Sequence, residues 1–229
     1  MKVSRIVIAV LAGVLAAFGV PGAWQSVAVA SSSPVLNWTR QAPAGSPPGL
    51  SAEPMAYDAG TGTVVLFSGQ ARTGTWIWNG TTWARHFPKP SPSARLEQSV
   101  AYDAATGTVV LFGGNVGDRG AQSDTWTWDG STWAKQAPAA SPPPRLEASM
   151  AYDAATGTVV LFGGDVGTPH FLGDTWTWDG STWTKQAPKT SPPARHSASM
   201  AYDAATGNAV LFGGQGGAFL GDTWTWGSG

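Results

Sequence analysis

Residues 149–183 read SMAYDAATGTVVLFGGDVGTPHFLGDTWTWDGSTW, and near copies begin around Pro54, Ser99 and Ser199. The stretch divides into four strands, A to D. Strand A, Ala148 to Tyr152, is short and built of small residues with one Met. Asp153 to Gly157 is a turn, because Asp can bond the backbone that follows it and Gly tolerates positive φ. Strand B, Thr158 to Phe162, is apolar on both alternating faces and therefore needs cover on both sides. Gly163-Gly164 ends it, and a variable loop runs from Asp165 to Gly173. Strand C, Thr175 to Trp178, alternates strictly, placing Trp176 and Trp178 on one face and the threonines on the other. Asp179-Gly180 is a two-residue hairpin signal, and strand D, Ser181 to Gln186, carries Trp183.

One such up-and-down sheet cannot bury two apolar faces, so neighbouring copies must stack face to face. A fully buried large apolar side chain stabilises by roughly 1.5–3 kcal/mol. With three Trp per copy, the stacking faces are the main expected source of stability, and a lone copy should not fold. The chain is expected to be all-β, four blades of four antiparallel strands.

Aligned on Tyr57, Tyr102, Tyr152 and Tyr202, the copies are spaced by 45, 50 and 50 residues. Each has a Gly pair (Gly113-Gly114, Gly163-Gly164, Gly213-Gly214; Ser68-Gly69 in the first) followed by an aromatic strand. Trp83, Trp133 or Trp183 then follows in the first three copies. In period and residues the chain resembles the kelch family of β-propellers, whose repeat is about 50 residues. The repeats are placed at about 50–88, 95–138, 145–188 and 195–226. The fourth stops at Asp222 to Trp226, without a strand D. Leu36 to Pro48, LNWTRQAPAGSPP, matches STWTKQAPKTSPP at Ser181 to Pro193 in eight of thirteen positions, with Trp38 at the place of Trp183. The expectation is that an N-terminal strand, residues 35–42, pairs with the last blade beside Trp226 and closes the ring. A fragment, and a head-to-tail dimer sharing that strand, are the other arrangements the ends allow; the ring is expected to be a monomer.

Residues 1–30 have the form of a secretory leader: basic Lys2 and Arg5, apolar Ile6 to Val20, and Ala28-Val29-Ala30 before Ser31. The mature chain would be 31–229, secreted or held in the periplasm or at the cell surface, with no membrane insertion once the leader is cut. Without Lys2 and Arg5 the balance is 11 basic to 14 acidic residues, which argues against a nucleic-acid partner. The chain has no Cys, so it needs no oxidative folding and has no thiol chemistry. Richness in Ala, Pro and Gly suggests a bacterial, high-GC source.

In an A-to-D sheet the A–B and C–D turns share one side and the B–C and D–A loops the other. Asp58, Asp103, Asp153, Asp203, Asp129 and Asp179 lie on the first side as turn formers. The second side carries the variation that binding surfaces use: Arg119, His170, Phe171 and Phe219 in B–C loops, and Arg95, Arg145 and Arg195 at the ends of D–A loops. The three arginines could converge near the axis on a carboxylate, sulfate or sugar acid. Glu97 and Glu147 would pair with Arg95 and Arg145, leaving Arg195, beside His196, the freest.

No catalytic residue, metal ligand set or cofactor is assigned. A copper-radical site like that of galactose oxidase needs a Cys-linked Tyr, and His86, His170 and His196 fall in different blades. The residues point to an exported, non-enzymatic binding module for a protein or carbohydrate ligand on the B–C/D–A face. A sugar-handling enzyme resembling kelch-type mutarotases and epimerases, or a structural repeat of a larger surface protein, are the alternatives.

Overall fold

The computed structural model describes residues 37–50, 53–69, 74–167 and 170–227. By packing the chain divides into Met1–Arg40 and Gln41–Gly229, and every strand lies in the second unit. The leader expected over residues 1–30 falls outside the described residues.

Four antiparallel sheets follow one another along the chain. The first is β1 (Met55–Asp58), β2 (Thr63–Ser68), β3 (Gly74–Trp78) and β4 (Trp83–His86). The second is β5 (Ser99–Asp103), β6 (Thr108–Phe112), β7 (Thr125–Trp128) and β8 (Trp133–Lys135). The third is β9 (Ser149–Asp153), β10 (Thr158–Phe162), β11 (Thr175–Trp178) and β12 (Trp183–Lys185), and the fourth is β13 (Ser199–Asp203), β14 (Asn208–Phe212) and β15 (Thr223–Trp226). Each sheet is ordered as its strands occur in sequence, which is the up-and-down blade expected of the repeat.

The A–B turns form as their sequence dictates. The Asp153 carboxylate accepts from the N–H of Ala155 at 2.9 Å, and its carbonyl from Gly157 at 2.8 Å. The C–D turns are longer than the two residues expected. Trp178 pairs with Trp183, so Asp179 to Thr182 make the turn, and Asp179 accepts from the N–H groups of Ser181 and Thr182. An Asp side chain that satisfies two backbone donors holds this wider turn, where the pattern alone suggested a tighter one.

Inner strands pack in series, β1 on β5, β5 on β9 and β9 on β13. At the first two seams the stacking is carried by one device. The indole of Trp133 donates to Thr75 Oγ1 at 2.7 Å and meets Phe67 edge-on at 5.8 Å. Trp183 does the same to Thr125, at 2.9 Å, and to Phe112, at 5.3 Å. Val159, Val160 and Leu161 are fully buried, as a strand covered on both faces requires. Gly163 is a close-approach position: φ is 68°, and a Cβ there would lie 2.4 Å from the carbonyl oxygen of Arg195 in the next blade. Gly113 meets Arg145 in the same way.

The fourth sheet departs from the expectation. It has three strands, residues 37–42 form none, and Trp38 is 103% exposed. Likeness to the segment after Ser181 provides outer-strand side chains, but a strand exists only through ladder bonds to a neighbour. Among the described residues β15 has no such bonds on its outer edge. Among the described residues the third seam therefore lacks the indole found at the other two. In its place is a cavity of about 70 Å³ lined by Phe162, Thr175, Leu211, Trp224 and Trp226.

Candidate functional site

The three arginines do not converge on a ligand position. Arg95, Arg145 and Arg195 are 1–2% exposed. Each forms a two-pronged pair with an aspartate of its own blade: Arg95 with Asp124 (2.6 and 2.9 Å), Arg145 with Asp174 (2.8 and 3.0 Å), Arg195 with Asp222 (2.5 and 2.8 Å). A further N–H of each donates to the carbonyl of Gly113, Gly163 or Gly213 at 2.9 Å, and Nε donates to the carbonyl two residues back. Trp126, Trp176 and Trp224 donate to the second carboxylate oxygen, each at 2.7 Å. The expected Arg95–Glu97 and Arg145–Glu147 pairs are thus replaced by a lock between D–A loop and strand C. Residues two apart share a face only in a continuing strand, and the backbone turns left-handed at Glu97 and Glu147.

The lock sets its own electrostatics. Burial pushes the carboxyls of Asp124 and Asp174 up, but the bonds from Arg95 and Trp126, and from Arg145 and Trp176, outweigh it and hold both below the usual range. Arg195 and Trp224 hold Asp222 well below it. The sequence carried a signal for this lock. Asp stands before TWTW in the three blades that have the arginine, while the first blade has Leu50 and Gly74 at those two places.

What converges instead is the residue two beyond each arginine. Glu97, Glu147 and Ser197 have φ of 60°, 53° and 54°, a conformation costing an L residue roughly 1–2 kcal/mol. Bonds across the seams hold it: Glu147 N–H donates to the Glu97 carbonyl at 2.8 Å, and Ser197 N–H to that of Glu147 at 2.9 Å. With Glu53, Pro54, Gln98, Ala148 and Ala198 they line an open cavity of about 390 Å³ to which all four blades contribute. Burial, then the facing Glu147 and Asp165, push the Glu97 carboxyl up, offset in part by His196. Glu53 is engaged by Gln98 at 3.0 Å.

Of the remaining expected residues, His196 and Phe171 adjoin this mouth. His196 Nδ1 contacts the Glu147 carboxylate, which also accepts from Ser197 Oγ at 2.6 Å. Phe171 is half-buried, not exposed: it stacks on His196 with centroids 4.9 Å apart. His170, in the same B–C loop, and Arg119, ending the short 3-10 helix Gly117–Arg119, are exposed. Phe219 is 87% exposed. Glu53, Glu97, Glu147 and Ser197 were not read from sequence as one group, because Glu53 is one residue out of register with the other three. Among the described residues no group of three or more His, Cys, Asp or Glu could hold a metal ion, and no helix is long and apolar enough to cross a membrane.

Residues 73–226, more than half of the chain, match the model of the KLHDC2/KLHL20/DRC7 Kelch-repeats domain. The chain belongs to the Kelch-repeat family. A search of curated proteins gives no match. Membership accounts for the repeated blade and points to a protein-interaction module. In this kelch domain the arginines lock each blade internally, and the Gly pairs allow neighbouring blades to approach closely.

Proposed function

We propose that the chain is an exported, non-enzymatic kelch binding module, secreted or held at the cell envelope, that takes a protein segment at the mouth lined by Glu53, Glu97, Glu147 and Ser197. The observation carrying this is that loops of all four blades end around one open cavity of about 390 Å³, with exposed Phe219 at the fourth. Variable loops on a rigid scaffold are the ordinary place for recognition. Three carboxylates there favour a lysine or arginine of the partner, since a cation relieves the crowding that raises Glu97. An aromatic beside a charged pocket suits a basic residue flanked by an apolar one. The test is binding of the purified full chain to peptide and glycan arrays, beside a mutarotation assay. Binding to basic peptides, weakened about tenfold or more in Glu147→Gln and in Phe219→Ala, is the expected result; tenfold corresponds to about 1.4 kcal/mol. Peptide binding indifferent to both substitutions, selective glycan binding, or turnover of a sugar would refute it.

A further inference from the structure

The two ends of the blade array carry the two halves of one interface. A recurring set of contacts joins the outgoing face of one blade to the incoming face of the next, whole at the second internal seam and in part at the first and third. Ser99 Oγ donates to the carbonyl of Ala148 at 2.7 Å, and Ser149 Oγ to that of Ala198 at 2.6 Å. Gly114 N–H donates to the Arg145 carbonyl and Gly164 N–H to that of Arg195, both at 2.9 Å. The Trp–Thr bond and Trp–Phe edge contact described above complete the set at the second seam and join the blades of the first.

The fourth blade presents the outgoing half, uncovered among the described residues. Ser199, Ala201, Thr223 and Thr225 are exposed, and Phe212, at the place of the buried Phe67 and Phe112, is 54% exposed. The first blade presents the incoming half. Met55 and Tyr57 (60%) are exposed, where Met150 and Tyr152 pack into a seam. The Trp83 indole lies against Trp78, 5.6 Å away, as Trp133 and Trp183 lie against Trp128 and Trp178, yet no Thr acceptor faces it among the described residues. Met55, Val64, Trp78 and Trp83 border an open groove with Gln41, Pro43 and Ser46. Position by position, Phe212 awaits an indole, Thr223 an indole N–H, and Ser199 a carbonyl. The first blade holds Trp83 and the Glu53 carbonyl in the corresponding places.

Both faces are open among the described residues. We propose that the two end faces form one docking surface whose partner is a second copy of this chain, joined head to tail. The outgoing face of the fourth blade of one copy seats on the incoming face of the first blade of the other, continuing the seam that already occurs inside the array. A head-to-tail contact closes when its rotation permits. Two copies joined at both ends complete a twofold ring, two sets of four sheets, within the range of about four to eight blades that propellers use. This departs from the monomer expected from sequence.

The test is light scattering and sedimentation of the full chain, purified as the cell processes it, over a dilution series. The expected mass is twice that of one chain, falling on dilution. Phe212→Arg and Tyr57→Arg alter exposed side chains, so the fold should persist, read from the near-ultraviolet Trp signal, while each variant alone is monomeric. A mixture of the two variants regains one intact seam, Phe212 of one variant against Tyr57 of the other, and should be heavier than either component. A wild type monomeric at every concentration would assign the faces to closure within one chain or to other blades, and overturns the proposal. So do dimers that survive either substitution, and a mixture no heavier than its components.

Discussion

Asp174→Asn tests whether the Arg–Asp lock holds the third blade. Asn keeps the shape but removes the charge that the buried Arg145 guanidinium faces at 2.8 and 3.0 Å. Breaking a buried ion pair by removing one partner costs about 3–5 kcal/mol, because the other charge stays buried. Asp174 is itself partly reached by solvent and the Gly163 carbonyl still accepts from Arg145, which places the expected loss near the low end, about 3 kcal/mol. For a domain of this size that lowers the melting temperature by roughly 6–12 °C. Arg145→Leu alone should cost a similar amount by leaving the carboxylate and the Gly163 carbonyl without their donor. The double substitution Arg145→Leu/Asp174→Gly recreates the pair that the first blade has at Leu50 and Gly74. It should cost clearly less than the two single losses added together, a coupling of about 1–3 kcal/mol. The assay is urea denaturation of the full chain and its three variants, followed by Trp fluorescence. Additive losses, or a single loss under about 1 kcal/mol where a buried charge demands more, would refute the lock. The sign with pH is also determined. Asp174 has a folded pKa below its unfolded value, so its contribution is complete above the unfolded pKa, near 4, and is lost as pH falls through the folded one. The wild type should lose stability in acid more steeply than Asp174→Asn.

Trp183→Phe keeps the ring packing but strands the Thr125 hydroxyl bonded at 2.9 Å; a loss of about 1–3 kcal/mol is expected from denaturant midpoints, against about 3–5 kcal/mol for Trp183→Ala. Gly163→Ala places a Cβ 2.4 Å from the Arg195 carbonyl at φ 68°. It should destabilise the fold by more than about 1 kcal/mol in the same assay, whereas Gly217→Ala, where a Cβ meets nothing, should be near neutral. Glu97 has a raised carboxyl, so its folded form favours the proton and the fold is stabilised below the unfolded pKa, losing that gain as pH rises through the folded one. Glu97→Gln should therefore raise the denaturation midpoint at neutral pH, with the advantage vanishing below about pH 4.

The blade was legible because its signals are local. Alternation in Thr175 to Trp178, the doubly apolar Thr158 to Phe162 and the Asp153–Gly157 turn each fix a strand or turn from neighbouring residues alone. The Trp stacking was legible too, since three large rings per repeat have nowhere to go but between sheets. The arginines were misplaced because their partners lie 27 to 29 residues away, and a charge was assigned to the nearest opposite charge in sequence. Proximity in sequence is a poor guide where the backbone turns left-handed, as at Glu97 and Glu147. The better evidence was comparison among the repeats: where Arg is absent, so is Asp. A buried guanidinium cannot stand without its carboxylate, nor the carboxylate without it, so the two must come and go together. Phe212 follows the same logic in reverse. Phe112 and Phe162 are buried at seams, and a seam needs a blade on each side. Phe212 and Tyr57 are repeat residues left exposed among the described residues, and on the proposal above they, rather than the arginines, are where a second copy would seat.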